Sequence, residues 1–378
     1  MEMQCLYINK RKYMKFKIIK ENKIARAGKL IINNNIINTP VFMPVATKGV
    51  LKTLSSNDLY DMNYKIILSN TLHLMIRPGE KILKKYNGIH NYMNWHRAVL
   101  TDSGGFQLYS LKNRTIKKNS ITFKSTNNGK NIVLTPLICV KTQEIINSDI
   151  IMVLDECTKY PISISEAYKS MKQSLDWAKI FKKNHTTNSA LFGIIQGSIY
   201  PELRNMSLCE LKKINFDGYA IGGLSVGESK TELINILDYL TNKLPKNKPR
   251  YLMGVGSPQD LVESVLRGID MFDCVIPTRN ARNGHLYTSH GIIKIKNNKN
   301  KYITKKLDDD CSCYTCKNYT VSYLYNLYKS KETLAHRLNT IHNLKFYKKL
   351  MEDIRNSIIN DKIEQFLYNF YKSYKRII

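Results

Sequence analysis

The sequence predicts an α/β fold in which eight strand–helix units close into a barrel. Three observations predict it. Eight short apolar runs recur along the chain, and helical patterns fill most of the gaps between them. The length of 378 residues also exceeds the roughly 250 that a (β/α)8 TIM barrel needs. With 43% hydrophobic residues, the chain can bury a core of this size.

The eight runs are almost continuously apolar rather than alternating, which is typical of strands buried on both faces of a parallel sheet. Polar or glycine residues stand at their C-terminal ends. A doubly wound open sheet is the structural alternative, but no G-x-G-x-x-G turn follows the first run. The predicted strands are Val41–Val45, Lys65–Asn70, Ala98–Ser103, Ile150–Glu156, Leu191–Gly197, Gly218–Gly223, Arg250–Gly256 and Met271–Ile276.

Helix-start signals support this alternation. Ser163-Ile164-Ser165-Glu166 is a capping box, and Ser257-Pro258 places an N-cap serine before a proline at the first helical position. Further helices are predicted at Ser56–Asn63, Leu137–Ile146 and Thr231–Leu244.

The gap from Ser103 to Ile150 is too long for a single helix. Within it, Thr115–Leu134 alternates between polar and apolar residues and contains the turn signal Asn127-Asn128-Gly129. The sequence therefore predicts a hairpin inserted into the barrel.

The charge is strongly basic, with 59 Lys+Arg against 30 Asp+Glu and a net charge of +29. One interpretation is a polyanionic partner, nucleic acid above all. The other is a composition rich in Lys, Asn, Ile and Tyr throughout the chain. No apolar run approaches the roughly 20 residues of a membrane span, and no signal-peptide core is visible. We therefore expect a cytoplasmic protein without membrane contact.

Three of the eight cysteines lie close together in Cys311-Ser312-Cys313-Tyr314-Thr315-Cys316, and the other five are scattered. This pattern tells against a disulfide framework and favours a metal site in a reducing compartment. The C-x-C-x-x-C spacing offers three thiolates to a tetrahedral metal. His342, in the helix-like stretch Leu334–Leu350, is one candidate for the fourth ligand, and His336 is another. Cys3His is a closed site, typical of one structural zinc ion.

Lys296–Lys306, rich in Lys and Asn, is predicted to be a linker or an exposed loop. Residues 1–13 are basic and patternless, and Met14 offers an alternative start. These features divide the chain into an N-terminal extension at 1–13, a barrel at 14–295, a zinc-binding subdomain at 296–360 and a C-terminal helix packing on the barrel at 361–378.

The C-terminal ends of the predicted strands carry an unusual set of residues. These ends meet at one mouth of a barrel, where barrel enzymes place their chemistry. Paired carboxylates suit reactions at the anomeric carbon of a sugar. Glutamine and glycine amides suit reading the edge of a planar heterocycle, which an aromatic ring and a thioether can sandwich. Each residue alone also has a structural interpretation, such as a helix cap or a core position. The set comprises Asp102, Gly104, Gly105, Phe106, Asp155, Glu156, Gln196, Gly222, Gly223, Met253 and Asp273.

The sequence resembles the bacterial-type tRNA-guanine transglycosylases (queuine tRNA-ribosyltransferases). The resemblance covers nearly the whole chain from Met14 onward, and its motifs are long and in order. They are Thr39–Val45, Ser69–Leu74, Thr101–Gln107, Asp155–Cys157, Gly193–Gly197, Gly222–Glu228, Tyr251–Pro258, Gly268–Arg282, the cysteine cluster and Asn339–Phe346.

The resemblance implies a role for each matching residue. Asp273 is expected to attack C1′ of the target ribose, and Asp102 to act as general acid and base. Arg279 and Arg282 are expected to contact RNA. The expected zinc ligands are Cys311, Cys313, Cys316 and His342. The expected substrate-binding residues are Asn70, Phe106, Asp155, Cys157, Gln196, Gly222, Gly223, Leu224, Val226 and Met253.

The resemblance also implies a reaction and its partners. The wobble guanine of GUN-anticodon tRNAs (Asp, Asn, His and Tyr) would be replaced by 7-aminomethyl-7-deazaguanine, in queuosine biosynthesis, by a homodimeric enzyme. Cys157 and Val226 match the bacterial branch. Phe106 departs from a frequent tyrosine, and Thr320–Asn326 lacks the usual Arg and His-His pair.

Two other functions fit part of the sequence. A carbohydrate-active barrel hydrolase would explain the paired carboxylates but not Gln196, the glycine pairs or the cysteine cluster. A non-catalytic, zinc-bearing tRNA-binding subunit would explain the charge and the cysteines. The presence of Asp102, Asp155 and Asp273 argues against it.

Overall fold

The computed structural model describes residues 14–109, 114–117, 119–124, 129 and 131–374. The predicted extension at 1–13 and two residues of the predicted turn, Asn127 and Asn128, lie outside the described residues. The described strands are β1 Met14–Asn22, β2 Ala25–Ile32, β3 Asn35–Thr39, β4 Val41–Met43, β5 Val45–Ala46, β6 Ile66–Asn70, β7 Ala98–Asp102, β8 Arg114–Lys117, β9 Ser120–Lys124, β10 Asn131–Leu134, β11 Ile150–Met152, β12 Ala190–Ile195, β13 Gly218–Ile221, β14 Arg250–Leu252, β15 Met271–Asp273, β16 His285–Thr288 and β17 Gly291–Lys294.

Helices occupy most of the remaining chain. Short irregular or 3-10 turns lie at Met75–Gly79, Thr241–Lys243 and Asn298–Tyr302. The α-helices are α1 Ser56–Asp61, α2 Thr71–Leu74, α3 Glu80–Lys85, α4 Ile89–Met93, α5 Gly105–Tyr109, α6 Pro136–Ile146, α7 Ile164–Asn184, α8 Pro201–Ile214, α9 Lys230–Leu240, α10 Pro258–Leu266, α11 Ile276–Arg282, α12 Tyr314–Asn318, α13 Val321–Lys329, α14 Thr333–Ile359 and α15 Ile363–Ser373.

The central sheet is a parallel barrel, as predicted. Its order is β4-β15-β14-β13-β12-β11-β7-β6-β5. β4 and β5 are two halves of one barrel strand separated by Pro44, since β4 pairs with β15 and β5 pairs with β6. The ring of eight strands is therefore closed, and each predicted run contributes one of them. Most strands end earlier than predicted because the last residues of each run leave the sheet and turn into the mouth.

The predicted helix starts are confirmed. Ser163 caps α7 with its side chain accepting from the Glu166 amide, and Glu166 completes the capping box. The Ser257 side chain accepts from the Asp260 amide at the start of α10, where Pro258 is the first helical residue. These caps satisfy amides that would otherwise lack acceptors where each helix begins.

The predicted insertion is larger than a hairpin. β8, β9 and β10 form a three-stranded antiparallel sheet in the order β10-β9-β8. Its apolar face, with Ile121, Phe123 and Leu134, is buried against the main core. The alternation therefore identified the right segment, which holds three strands rather than the two of a hairpin.

An antiparallel sheet of β1, β2 and β3 precedes the barrel and was not predicted as a separate element. The buried Arg26 attaches this sheet to the N-terminal end of the barrel. Its Nε donates to Asp270 Oδ1 at 2.9 Å, and its Nη atoms donate to the carbonyls of Lys246 and Lys248 at 2.9 and 2.8 Å. Asp270 directly precedes β15, so the ion pair closes the end of the barrel opposite the mouth.

The C-terminal part is helical and packs on the barrel. Tyr347 of the long helix α14 reaches the barrel, where its hydroxyl donates to the Gly256 carbonyl at 2.5 Å. Phe366 and Phe370 of α15 pack against the main core. The predicted loop Lys296–Lys306 is partly structured: its 3-10 turn is anchored by the buried Asn300, whose Nδ2 donates to the Lys294 carbonyl at 2.8 Å. Within the described part of the chain, no helix is both long and apolar enough to cross a membrane.

Candidate active site and metal centre

A cavity of about 470 Å³ lies at the C-terminal ends of the barrel strands. The three predicted carboxylates all line it, and so do most of the predicted substrate-binding residues. Gln196 and Arg282 are the two predicted site residues of this mouth that do not reach the cavity wall. The predicted residues on the wall are Asn70, Asp102, Phe106, Asp155, Cys157, Gly222, Gly223, Leu224, Val226, Met253, Asp273 and Arg279.

Asp102 is the last residue of β7 and lies beside Asn70, the last residue of β6. Asn70 Nδ2 donates to both carboxylate oxygens, at 2.9 and 2.7 Å, and Gln107 Nε2 donates to Oδ2 at 3.2 Å. Burial raises the pKa of Asp102 to about 7, helped by the nearby Asp273 charge and opposed by the bonds from Asn70, Thr71 and Gln107. A carboxyl with this pKa exchanges protons near neutral pH, which suits a general acid and base.

Asp273 is the last residue of β15. Tyr251 Oη donates to Asp273 Oδ1 at 2.6 Å, and the Gly254 amide donates to the same oxygen at 2.9 Å. Burial raises the pKa of Asp273, and these two hydrogen bonds counteract the increase. Both donors stabilise the ionised carboxylate, which is the nucleophilic form. Among the described residues no donor bonds to Oδ2, so this oxygen is available for attack.

Asp155 follows β11 and is buried. Gln196 Nε2 donates to Asp155 Oδ2 at 2.7 Å, and Ser103 Oγ donates to Oδ1 at 3.3 Å. Burial raises the pKa of Asp155 to about 6, against these bonds. Gln196 therefore orients Asp155; it is buried and does not line the cavity, and its role in reading the base stays a prediction.

Glycines form the part of the wall next to Asp155. A Cβ on Gly105 would lie 2.6 Å from Asp155 Oδ1, and one on Gly223 would lie 2.3 Å from Gln196 Oε1. Gly223 also has φ of +62°, a conformation that side chains disfavour. The glycines therefore let Asp155 and Gln196 pack directly against the backbone of the cavity wall.

Apolar side chains cover two sides of the cavity. Phe106 is 55% exposed and Met253 is half-buried. Leu224 and Cys157 are buried, and Val226 stands on the rim. The exposed ring of Phe106 lines the cavity, and a flat base could stack on it there.

The two predicted RNA-contact arginines lie on α11, directly after Asp273 along the chain. Arg279 is exposed and lines the cavity. Arg282 is half-buried, and its Nη1 donates to the Thr278 carbonyl at 2.8 Å. Burial lowers the pKa of Arg282, helped by the charge of Arg279. Two neighbouring cations at the mouth suit an anionic ligand such as a phosphate backbone.

The predicted metal ligands come together away from this mouth. Ligand atoms of the buried residues Cys311, Cys313, Cys316 and His342 all lie within 4.8 Å of one another. His342 Nδ1 is 3.6 Å from Cys313 Sγ and 3.3 Å from Cys316 Sγ. Tetrahedral zinc bonds would separate sulfur and nitrogen ligands by about 3.5 Å. His336, the alternative fourth ligand, is not part of this cluster.

A second contact prepares His342 for a metal. Its Nε2 lies 2.6 Å from the Tyr287 carbonyl. Since that oxygen can only accept, the proton is on Nε2 and the lone pair of Nδ1 points toward the sulfurs. Metal-bound histidines are commonly held by such a bond. The residues present therefore fit a tetrahedral Cys3His metal site.

The family model described as "Queuine tRNA-ribosyltransferase" matches residues 21–376. Relatives with the same name in Francisella tularensis subsp. tularensis strain WY96-3418 and subsp. novicida strain U112 are each 53% identical over 364 residues, covering 96% of this chain and 99% of theirs. The chain belongs to the queuine tRNA-ribosyltransferase family.

Membership of the queuine tRNA-ribosyltransferase family confirms the predicted resemblance and the predicted enzyme class, a pentosyltransferase. It therefore disfavours both the hydrolase and the non-catalytic subunit.

Two residues next to the cavity of this queuine tRNA-ribosyltransferase family member were not predicted as site residues. Tyr251 was named only within a strand and a motif, although it lies two positions before Met253, so both side chains are expected on the same face. Arg204 of α8 was not singled out. It is fully buried, and its guanidinium donates to carbonyls at the ends of β12 and β13.

Proposed function

We propose that this enzyme replaces the wobble guanine of tRNAs for Asp, Asn, His and Tyr with 7-aminomethyl-7-deazaguanine through a covalent ribosyl-aspartate. The family supports guanine exchange in tRNA as the reaction. The observation that carries the finer proposal is one cavity in which Asp102, Asp155 and Asp273 have different hydrogen-bond partners. Different partners suit different chemical roles.

In the first displacement, Asp273 Oδ2 attacks C1′ of the ribose and the C1′–N9 bond breaks. The bonding pair goes to N9, and protonated Asp102 supplies a proton to the departing guanine. Tyr251 and the Gly254 amide hold Oδ1 of Asp273, so the attacking oxygen is fixed before the substrate arrives. Such positioning lowers the cost of reaching the transition state.

In the second displacement, the ionised Asp102 takes the N9 proton of the incoming base. N9 then attacks C1′, and the bond from C1′ to the Asp273 oxygen breaks. Two displacements at one carbon retain the anomeric configuration. The pKa of Asp102, about 7, makes both of its protonation states accessible at neutral pH. No redox step is needed.

The base is recognised on the opposite side of the cavity. Asp155, oriented by Gln196, accepts donors on the edge of the guanine ring, and the backbone of Gly222, Gly223 and Leu224 reads the remaining edge. Phe106 and Met253 sandwich the ring. Stacking on an aromatic ring offsets part of the cost of splaying the base, by roughly 1–3 kcal/mol.

The proposed tRNA approaches the mouth and contacts Arg279 and Arg282 through its phosphates, since Arg279 lines the cavity and Arg282 follows it on α11. The anticodon loop is already single-stranded, so extruding its wobble base costs less than opening a duplex. The net charge of +29 favours a polyanion in general. Asn70, which holds Asp102, lies where a ribose would sit beside Asp273.

We further propose that residues 296–360 form a zinc-binding subdomain in which Cys311, Cys313, Cys316 and His342 hold one structural zinc ion. When bound, the ion would connect α12 and the residues just before it to α14. Such sites contribute folding energy, on the order of 10–16 kcal/mol in small zinc modules. The metal is not needed at the barrel mouth, where the chain's own carboxylates act. We also propose that the enzyme is cytoplasmic and forms a homodimer. The mass from light scattering tests the homodimer.

The test is incorporation of radiolabelled guanine into an unmodified tRNA-Tyr transcript. We expect incorporation by the wild type and none by Asp273→Ala. Two further measurements test the finer specificity. Unlabelled 7-aminomethyl-7-deazaguanine is expected to compete with labelled guanine, and transcripts that lack a GUN anticodon are expected to incorporate no label. A folded, zinc-loaded wild type that binds tRNA without exchanging guanine would refute the proposal.

A further inference from the structure

We infer that Arg204 is a positioning residue that turns the amides of the Gly222–Leu224 segment toward the base, and so sets base affinity and selectivity. This inference rests on the proposed function of the cavity. Arg204 has no contact with the cavity itself. It acts through the peptide planes that form the cavity wall.

The contacts of Arg204 are all with backbone carbonyls. Its Nε donates to the Ser198 carbonyl at 2.7 Å. Its Nη1 donates to the carbonyls of Ile195 and Gly222, at 2.8 and 2.6 Å, and its Nη2 donates to that of Gly223 at 3.3 Å. The guanidinium thus ties the end of β12, next to Gln196, to the glycine pair that follows β13.

These bonds fix the direction of two amides. In a trans peptide the C=O and the following N–H point in opposite directions. Because the carbonyls of Gly222 and Gly223 point at Arg204, the N–H groups of Gly223 and Leu224 point away from it, and both residues line the cavity. Among the described residues, neither amide has a protein acceptor. The carbonyl oxygen of a guanine-type base is a suitable partner.

Burying the charged side chain of Arg204 costs free energy, so its position is better explained by a role in directing these amides than by stability. The side chain is fully buried, and it lies near the N-terminus of α8, where the helix dipole disfavours a cation. No carboxylate bonds to it within the described chain. Glu228 influences it electrostatically, but this carboxylate accepts from the Val226 amide at 3.0 Å. Desolvating an unpaired charge is costly, so a neutral residue would be the choice for stability alone.

Glycine at position 223 makes the arrangement sensitive to this anchor. Gly223 has a left-handed backbone, and it lies against Gln196 without room for a side chain. A glycine peptide that loses its carbonyl partner can rotate freely. Without Arg204, the Gly223 amide would lose its direction while the carboxylates of the site stayed in place.

The test compares base binding by the full, zinc-loaded chain carrying Arg204→Lys or Arg204→Met with the wild type. Calorimetry on the protein without tRNA gives the Kd of guanine and the Kd of 6-thioguanine. In 6-thioguanine the carbonyl oxygen of guanine is replaced by sulfur, a weaker acceptor, and the other edge groups are kept. Losing one directed hydrogen bond predicts a guanine Kd raised about tenfold. The wild-type preference for guanine over 6-thioguanine falls to about twofold or less, while kcat at saturating base stays within about twofold.

The matched control is Arg26→Lys, because Arg26 is equally buried but lies at the opposite end of the barrel. It is expected to lower the melting temperature without changing either Kd. An unchanged guanine Kd in both Arg204 variants, an equal loss of affinity for both bases, or a fall in kcat alone would overturn the inference. If neither variant folds, a wild type with no preference for guanine over 6-thioguanine overturns it. Base binding without exchange into tRNA would instead refute the proposed function.

Discussion

Tyr251→Phe is the perturbation that most directly tests how the nucleophile is prepared. The substitution removes one hydroxyl, and with it the 2.6 Å hydrogen bond to Asp273 Oδ1. The Gly254 amide remains as a donor at 2.9 Å. Because the bond favours the ionised carboxylate, its loss raises the pKa of Asp273. The nucleophilic form is then lost at a higher pH than in the wild type.

The size of the shift follows from the strength of the bond. A hydrogen bond to a charged group contributes about 1.5–3 kcal/mol, and 1.36 kcal/mol corresponds to one pKa unit. We therefore expect the acidic limb of kcat/KM for guanine exchange to move upward by about one to two pH units. The alkaline limb, which reports Asp102 with its pKa of about 7, is expected to stay in place.

The assay is guanine exchange into tRNA across a range of pH, with Tyr219→Phe as the matched control. Tyr219 is a buried tyrosine of the neighbouring strand β13, and no site carboxylate is among its partners. A uniform loss of activity at every pH, with both limbs unmoved, would show that the hydroxyl does not act on the ionisation of Asp273.

Three further predictions concern the other parts of the site. Asp102→Asn cannot move protons, so kcat is expected to fall by about 10²-fold or more with the melting temperature kept; near-normal single-turnover rates would contradict this. Arg279→Ala is expected to raise the KM for tRNA and to lower the salt dependence by about 0.7 log units per tenfold salt, with the KM for guanine unchanged; an unchanged salt slope would exclude a phosphate contact. His342→Ala is expected to lose zinc by metal analysis and to melt at a lower temperature, whereas retained zinc would point to a different fourth ligand.

Much of the barrel could be predicted from the sequence because its strands are buried on both faces. Such strands are continuous apolar runs, and Ala190–Ile195 is buried along its whole length. β1 was missed because its residues alternate between exposed and half-buried, a weaker pattern than a buried run. The strand ends were placed too late because the predicted runs included the polar and glycine residues that leave the sheet for the mouth.

The carboxylates of the site could be placed from their positions at strand ends, whereas their partners could not. Tyr251 lies between Arg250 and apolar residues in a predicted strand, and only the structure shows its hydroxyl on Asp273. Arg204 belongs to a basic sequence in which a helical arginine is expected to be exposed. Gln196 donates its side-chain amide to Asp155, a tertiary contact that the sequence does not reveal.

In the proposed mechanism Asp273 carries the ribose during exchange. The most direct measurement denatures the enzyme during turnover with an unmodified tRNA-Tyr transcript, digests both components and maps the ribosylated peptide by mass spectrometry. We expect an adduct on Asp273 in the wild type and no adduct in Asp273→Asn. An adduct on Asp102, or one that persists in Asp273→Asn, would contradict it.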